Sequence, residues 1–154
     1  MLGAIPNPKK SLVIDFSIEK LKSTIEYVAV LNNKYKLHSK NDILNTYTFE
    51  AMEFLSLGIY ADISFSKQGE TRTEVTIEIR RKIGAFDQAH EVSKANEHIS
   101  TLFTLVSQCV VLSEEQIKEL ETRQQNMPKN SGCMVTLLLT IGSILGGGVI
   151  YALA

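Results

Sequence analysis

With 154 residues, and 16 Lys and Arg against 17 Asp and Glu for a net charge of −1, the chain has room for one ordinary domain plus an appendage. It carries no global field to draw in nucleic acid. Charged residues make up 21% of the chain, yet all of them precede Ser131, so the average mixes an ordinary soluble domain with an uncharged segment. Cys109 and Cys133 sit in apolar surroundings without a CxxC spacing, which argues against a disulfide framework and fits a reducing cytosol.

The first ten residues, "MLGAIPNPKK", hold two prolines and no apolar run of the length a secretory signal needs, and read as a leader, residues 1–10. Gly3 does not follow the initiator Met directly, so the N-myristoylation pattern is not met. "SLVIDFS" then alternates, with Leu12, Ile14 and Phe16 on one side, and predicts a strand with one buried face. Ser17 stands at an N-cap position, and Ile18, Leu21, Ile25, Val28 and Leu31 recur at helical spacing. A helix of about four turns is expected, stopped by Asn32 and Asn33.

Four strands are predicted next. "KYKLHS" and "ILNTYTFEA" flank Asn41 and Asp42, which suit a tight turn; the second run sets Ile43, Asn45, Tyr47 and Phe49 on one face. "GIYADISFS" and "RTEVTIEIR" flank a turn at Gly69. They alternate cleanly, Ile59, Ala61, Ile63 and Phe65 in the first and Val75, Ile77 and Ile79 in the second, as in an antiparallel sheet with one dry and one wet face. After Gly84, with Asp87 as cap, a long helix carries the stripe Val92, Ala95, Ile99, Leu102, Phe103, Val106 and Val110, while His98 is assigned to its solvated side. "SEEQIKELETRQQNM" opens on a capping box, Ser113 with Gln116, and has a thin apolar face, so it reads as a mostly solvated helix.

The expected fold is α+β: a two-layer sandwich in which an antiparallel sheet of about five strands, in the order β-α-β-β-β-β-α, has its helices on one face. The expected organisation is a domain over 11–112, a helical stalk and linker over 113–130, and a membrane anchor over 131–154. On element order, Ser11 to Leu112 resembles the TATA-binding-protein-like or helix-grip arrangement of Bet v 1-like domains. The stretch "RRKIGAFDQAHEVSKANEHI" resembles part of a membrane-anchored bacterial family to which no activity attaches.

"SGCMVTLLLTIGSILGGGVIYALA", residues 131–154, is uncharged throughout. Met134 to Ala154 as a helix would span about 31 Å, enough for a bilayer core of about 30 Å. Ten of those residues are Leu, Ile or Val, worth about −3 to −6 kcal/mol of insertion free energy, less what the glycines take back. Gly142 with Gly146 forms GxxxG, and Ser143 with Gly147 a second small-xxx-small pair, the pattern of close helix packing and self-association in a bilayer. Arg123 and Lys129 precede the span, in keeping with a cytoplasm-facing domain and a single C-terminal anchor.

Catalytic motifs are tested and rejected. His90 and His98 lie about 12 Å apart along one helix, too far to share a metal ion. No serine-elbow motif occurs, and the glycine-rich "GSILGGG" has no lysine after it, so neither nucleophile nor phosphate loop is expected. The wet sheet face carries Asp62, Glu74 and Glu78, which would repel a nucleic-acid backbone. The only basic run, Arg80, Arg81 and Lys82, offers candidate contacts to anionic headgroups. The expectation is thus a non-enzymatic, tail-anchored interaction or adaptor module with no cofactor, no metal and no nucleic-acid partner. Its partners are the bilayer and another protein or a second copy of the chain through the membrane helix. The alternative is a helix-grip domain that binds a small apolar ligand or lipid at the membrane.

Overall fold

The computed structural model describes residues 5–52, 58–86 and 88–126. The expected span 131–154 with Gly142, Ser143, Gly146 and Gly147, Cys133, and the Asp87 cap lie outside them. The chain divides into two units, 1–121 and 122–154.

Five antiparallel strands form one sheet: β1 (Lys9–Ile14), β2 (Tyr35–Asn41), β3 (Thr46–Ala51), β4 (Ile59–Lys67) and β5 (Thr73–Arg81), in the spatial order β1-β5-β4-β3-β2. The chain crosses from one edge strand, β1, to the other, β2, through a helical segment, then returns by successive antiparallel pairings. Alternation sorts the side chains as the sequence predicts. Tyr47, Phe49, Ala61, Ile63, Phe65, Val75, Ile77 and Ile79 are buried, and Thr48, Glu50, Tyr60, Asp62, Thr76 and Glu78 form the half-buried opposite face. The fold is α+β, a five-stranded antiparallel sheet with helices.

The first helical segment keeps its apolar stripe but not its continuity. It runs as α1 (Ile18–Thr24), a 3-10 turn (Ile25–Tyr27) and α2 (Val28–Leu31). Ser17 caps α1 by accepting from the Lys20 backbone N–H. The ladder breaks where Ser23 and Thr24 both turn their hydroxyls back to the Lys20 carbonyl, at 2.8 and 2.9 Å; such back-bonding bends helices. Ile18, Leu21, Ile25, Val28 and Leu31 are nonetheless all buried.

Two strand expectations are corrected. β1 does not bury one face: Leu12, Val13 and Phe16 are exposed, because β1 is an edge strand paired only with β5. The second hairpin strand starts at Thr46, not Ile43. Asn41 Oδ1 accepts from the backbone N–H groups of Ile43 and Leu44 at 3.1 and 3.0 Å. Asn45 then takes φ 53, a left-handed conformation Asn tolerates. Ile43 and Leu44 are therefore tip residues, 91% and 66% exposed.

α3 (Ala89–Val111) contacts β5, β1 and the first helical segment, burying Ala95, Ile99, Leu102, Leu105, Val106, Cys109 and Val110. α4 (Glu114–Asn126) begins on the expected capping box: Gln116 Oε1 accepts from Ser113 N–H at 3.0 Å, and Ser113 Oγ from Gln116 N–H at 3.3 Å. Among its described side chains, Ile117 and Leu120 are buried. No helix among the described residues is long and apolar enough to cross a membrane.

Candidate functional site

One polar pair joins two elements across the interior, where Thr24 and Thr73 are also buried. Tyr35 opens β2 and is 2% exposed; His98 lies in the middle of α3 and is 5% exposed. The Tyr35 hydroxyl and His98 Nδ1 are 2.7 Å apart, and the rings meet edge-on with centroids 5.7 Å apart. The loop before Tyr35 is pinned: Asn32 Oδ1 accepts from Lys34 N–H at 3.0 Å, and the Asn32 carbonyl from Tyr35 N–H at 3.1 Å. Two elements of the fold thus hold a hydrogen-bonded donor–acceptor pair in fixed geometry.

The pair faces a cleft of about 220 Å³ between the start of β2 and α3. Its rim is Asn32, Lys34, Lys94, Glu97 and Thr101. The rim carries two ammonium groups and one carboxylate. The lining can hold a compact polar molecule and offers little to an acyl chain.

This assignment corrects the placement of His98 on the solvated side of the long helix. The residue is three after Ala95 and four before Leu102, on the flank of the apolar stripe. The arrival of β2 along that flank is a contact between residues 63 apart, which helix periodicity alone does not show. Cys109, three turns further along the same flank, is a buried free thiol, pushed up to about 12 by burial. That protonated state makes it a poor nucleophile.

A second, more open hollow of about 620 Å³ lies where α1, the β2–β3 turn and the end of β4 meet, walled by Glu19, Lys22, Lys40, Asp42 and Lys67. Tyr47 donates to Asp42 at 2.6 Å, which holds the Asp42 carboxyl below the usual carboxylate range. Lys40 bonds Glu26 at 2.7 Å.

The basic run is spread over three ion pairs. Arg80 pairs with Asp62, which also accepts from Thr48 at 2.7 Å. Arg81 reaches Glu91 at 3.0 Å, and Lys82 reaches Glu50 at 2.7 Å. Arg80 and Lys82 also lie 5.3 Å from the Tyr60 ring centroid. Asp62 stands directly opposite Glu78 in the register, so Arg80 relieves a like-charge pair. Burial pushes the Asp62 carboxyl up, but the hydrogen bonds from Arg80 and Thr48 and the Arg80 charge together hold it below the ordinary range. Among the described residues no group of three His, Cys, Asp or Glu side chains is placed to hold a metal ion.

No family model matches the chain, and no curated protein matches it in sequence. Solved structures are similar to it in fold. CalU16 from Micromonospora echinospora is 9% identical, with 80% of this chain and 89% of that one covered and a TM-score of 0.49. A START superfamily protein from Mycobacterium smegmatis is 12% identical, with 74% and 98% covered and a TM-score of 0.41. Zhui aromatase/cyclase from Streptomyces sp. R1128 is 7% identical, with 79% and 96% covered and a TM-score of 0.41.

The likeness concerns architecture, and it includes proteins of the helix-grip arrangement that the element order resembles. It also corrects one expectation. The non-enzymatic reading rested on missing sequence motifs, yet an aromatase/cyclase is among the proteins of similar fold. Side chains far apart in sequence can be brought together by the fold, as Tyr35 and His98 are, so motif absence does not exclude catalysis.

Proposed function

We propose that this chain is a ligand-binding helix-grip domain whose ligand sits in the cleft floored by Tyr35 and His98. The observation that carries the reading is that buried hydrogen-bonded pair, 2.7 Å across, opening on a cleft instead of closing into apolar packing. A buried imidazole and phenol are costly to desolvate, and a site that uses them for recognition offsets that cost. The polar lining shifts the ligand from an apolar molecule or lipid to a compact polar one. Among the described residues an interaction module has no comparable buried feature behind it. The uncharged segment 131–154 supports a bilayer as the place where the domain acts.

The test is a titration of the full chain with inorganic phosphate and with 4-hydroxybenzoate, reading the side-chain ¹⁵N resonances of His98. A saturable shift by millimolar concentration, lost in Tyr35→Phe, is expected from at least one probe. Shifts that are linear in concentration, or unchanged by Tyr35→Phe, would overturn the assignment.

A further inference from the structure

We infer that the β2–β3 turn is a bilayer-docking tip, with Ile43 and Leu44 inserting among lipids and Lys22 behind them meeting headgroup phosphates.

Turns of this kind are the province of Asn, Asp, Gly and Ser. Here two large aliphatic residues occupy the outermost positions, 91% and 66% exposed. They are held out rather than left loose. Asn41 Oδ1 accepts from both of their backbone N–H groups, Asn45 closes the turn at φ 53, and Asn45 O accepts from Phe65 N–H at 3.0 Å on the neighbouring strand. Lys22 supports the turn from α1 by donating to the Asp42 carbonyl at 2.7 Å. A turn tied to its sheet and its helix can press side chains into a surface without paying to order them first.

Lysines and carboxylates balance around the tip. Lys22, Lys40 and Lys67 face the hollow behind it, with Glu19 and Asp42. Asp42 accepts from the neutral Tyr47 hydroxyl and keeps its negative charge, and Lys40 is paired with Glu26. The Lys22 ammonium is spent on a carbonyl oxygen and not on a carboxylate, so its positive charge stays available.

The occupant is a bilayer and not a protein. Two aliphatic side chains on a projecting tip fall far short of the roughly 1,000 Å² that a stable protein interface buries. An interfacial segment needs only a few apolar side chains sunk about 5–10 Å into the headgroup boundary, backed by basic residues. The same chain carries the 24-residue uncharged segment from Ser131 to Ala154, for which the sequence predicts a bilayer partner.

The chain contains no tryptophan, so Leu44→Trp makes a single-tryptophan reporter at an exposed site. Ile83→Trp, also exposed and at the opposite end of the sheet, is the control. Each full-length variant is reconstituted with vesicles of brominated phosphatidylcholine and phosphatidylglycerol. Trp emission from the Leu44→Trp chain is expected to be quenched and blue-shifted, and to recover when Ile43→Ser is added, while the Ile83→Trp chain stays bright. Two results overturn the inference: equal quenching in both chains, or no quenching in the Leu44→Trp chain, where shielding from aqueous iodide would mean that a protein covers the tip. Retention on the vesicles after alkaline carbonate extraction, which releases a docked tip but not a spanning helix, decides the membrane-span reading separately, and His98 titration decides the ligand reading.

Discussion

Replacing Tyr35 with Phe keeps the ring that fills the interior and removes only the hydroxyl that meets His98 at 2.7 Å. His98 Nδ1 is then buried without that partner. Leaving one buried polar group unsatisfied costs about 1–3 kcal/mol, above the roughly 1 kcal/mol of a typical net hydrogen bond. Taking about 2 kcal/mol, and about 3–6 °C per kcal/mol for a domain of this size, the melting temperature falls by roughly 6–12 °C. Urea denaturation of the full chain, followed by circular dichroism, gives the free-energy change. A double-mutant cycle with His98→Asn isolates the pair, with an expected coupling of about 1–2 kcal/mol. If Tyr35→Phe costs less than about 0.5 kcal/mol and the coupling is near zero, the two residues do not share a closed buried bond. The cleft then loses its recognition floor, and the ligand proposal falls with it.

Acid should destabilise the protein through Asp62. Its folded pKa is lowered because the bonds from Arg80 and Thr48 outweigh burial, so its contribution is complete above the unfolded value of about 3.9 and disappears as pH falls through the lower folded value. Melting temperatures recorded from pH 6 to 2 are therefore expected to fall less steeply for Asp62→Asn than for the parent chain; an unchanged slope refutes the pairing. Gly58 has φ +89, and a Cβ there would lie 2.8 Å from the Ala51 carbonyl oxygen. Gly58→Ala should cost at least about 2 kcal/mol. Gly84→Ala, at φ +77 with open space around it, should cost only about 1–2 kcal/mol, so equal losses in urea midpoint would contradict the clash. In a Cys133→Ser chain, Cys109 should resist Ellman's reagent at pH 8 until denaturant is added, because burial holds its thiol up near 12; prompt reaction in the native state would show that the C-terminal part of α3 opens.

The parts of the fold that sequence made legible are those with one-sided surroundings. β4 and β5 each have a partner on both sides and one wet face, so period-two alternation maps directly onto burial. The capping box at Ser113 and the cap at Ser17 are local chemistry and could be read in place. Expectation failed where neighbours distant in sequence decide the outcome. β1 alternates as a half-buried strand does, but its edge position leaves Leu12 and Val13 exposed. Ile43 continues the alternation of β3 but is taken out of it by Asn41 and Asn45. The candidate site suffered most. His98 has no motif around it, and its burial depends on β2 arriving alongside α3; its spacing from Ala95 and Leu102 was the available signal.

The pairing of β1 with β5 also sets the order in which the sheet can be completed. Ser11 and Thr76, joined by their hydroxyls at 2.7 Å, are 65 residues apart, whereas β2–β3 and β4–β5 close across short turns. On a ribosome the strand made first waits for the one made last among the five, and its apolar edge stays without a partner until Arg81 has emerged. Local hairpins form early at small entropic cost, and closure of the long loop comes late. A pause in synthesis between Lys67 and Thr73 would thus hold the chain as a partly built sheet with β1 free. Lys9 and Lys10 at its start are well placed to keep that free edge from pairing with another chain.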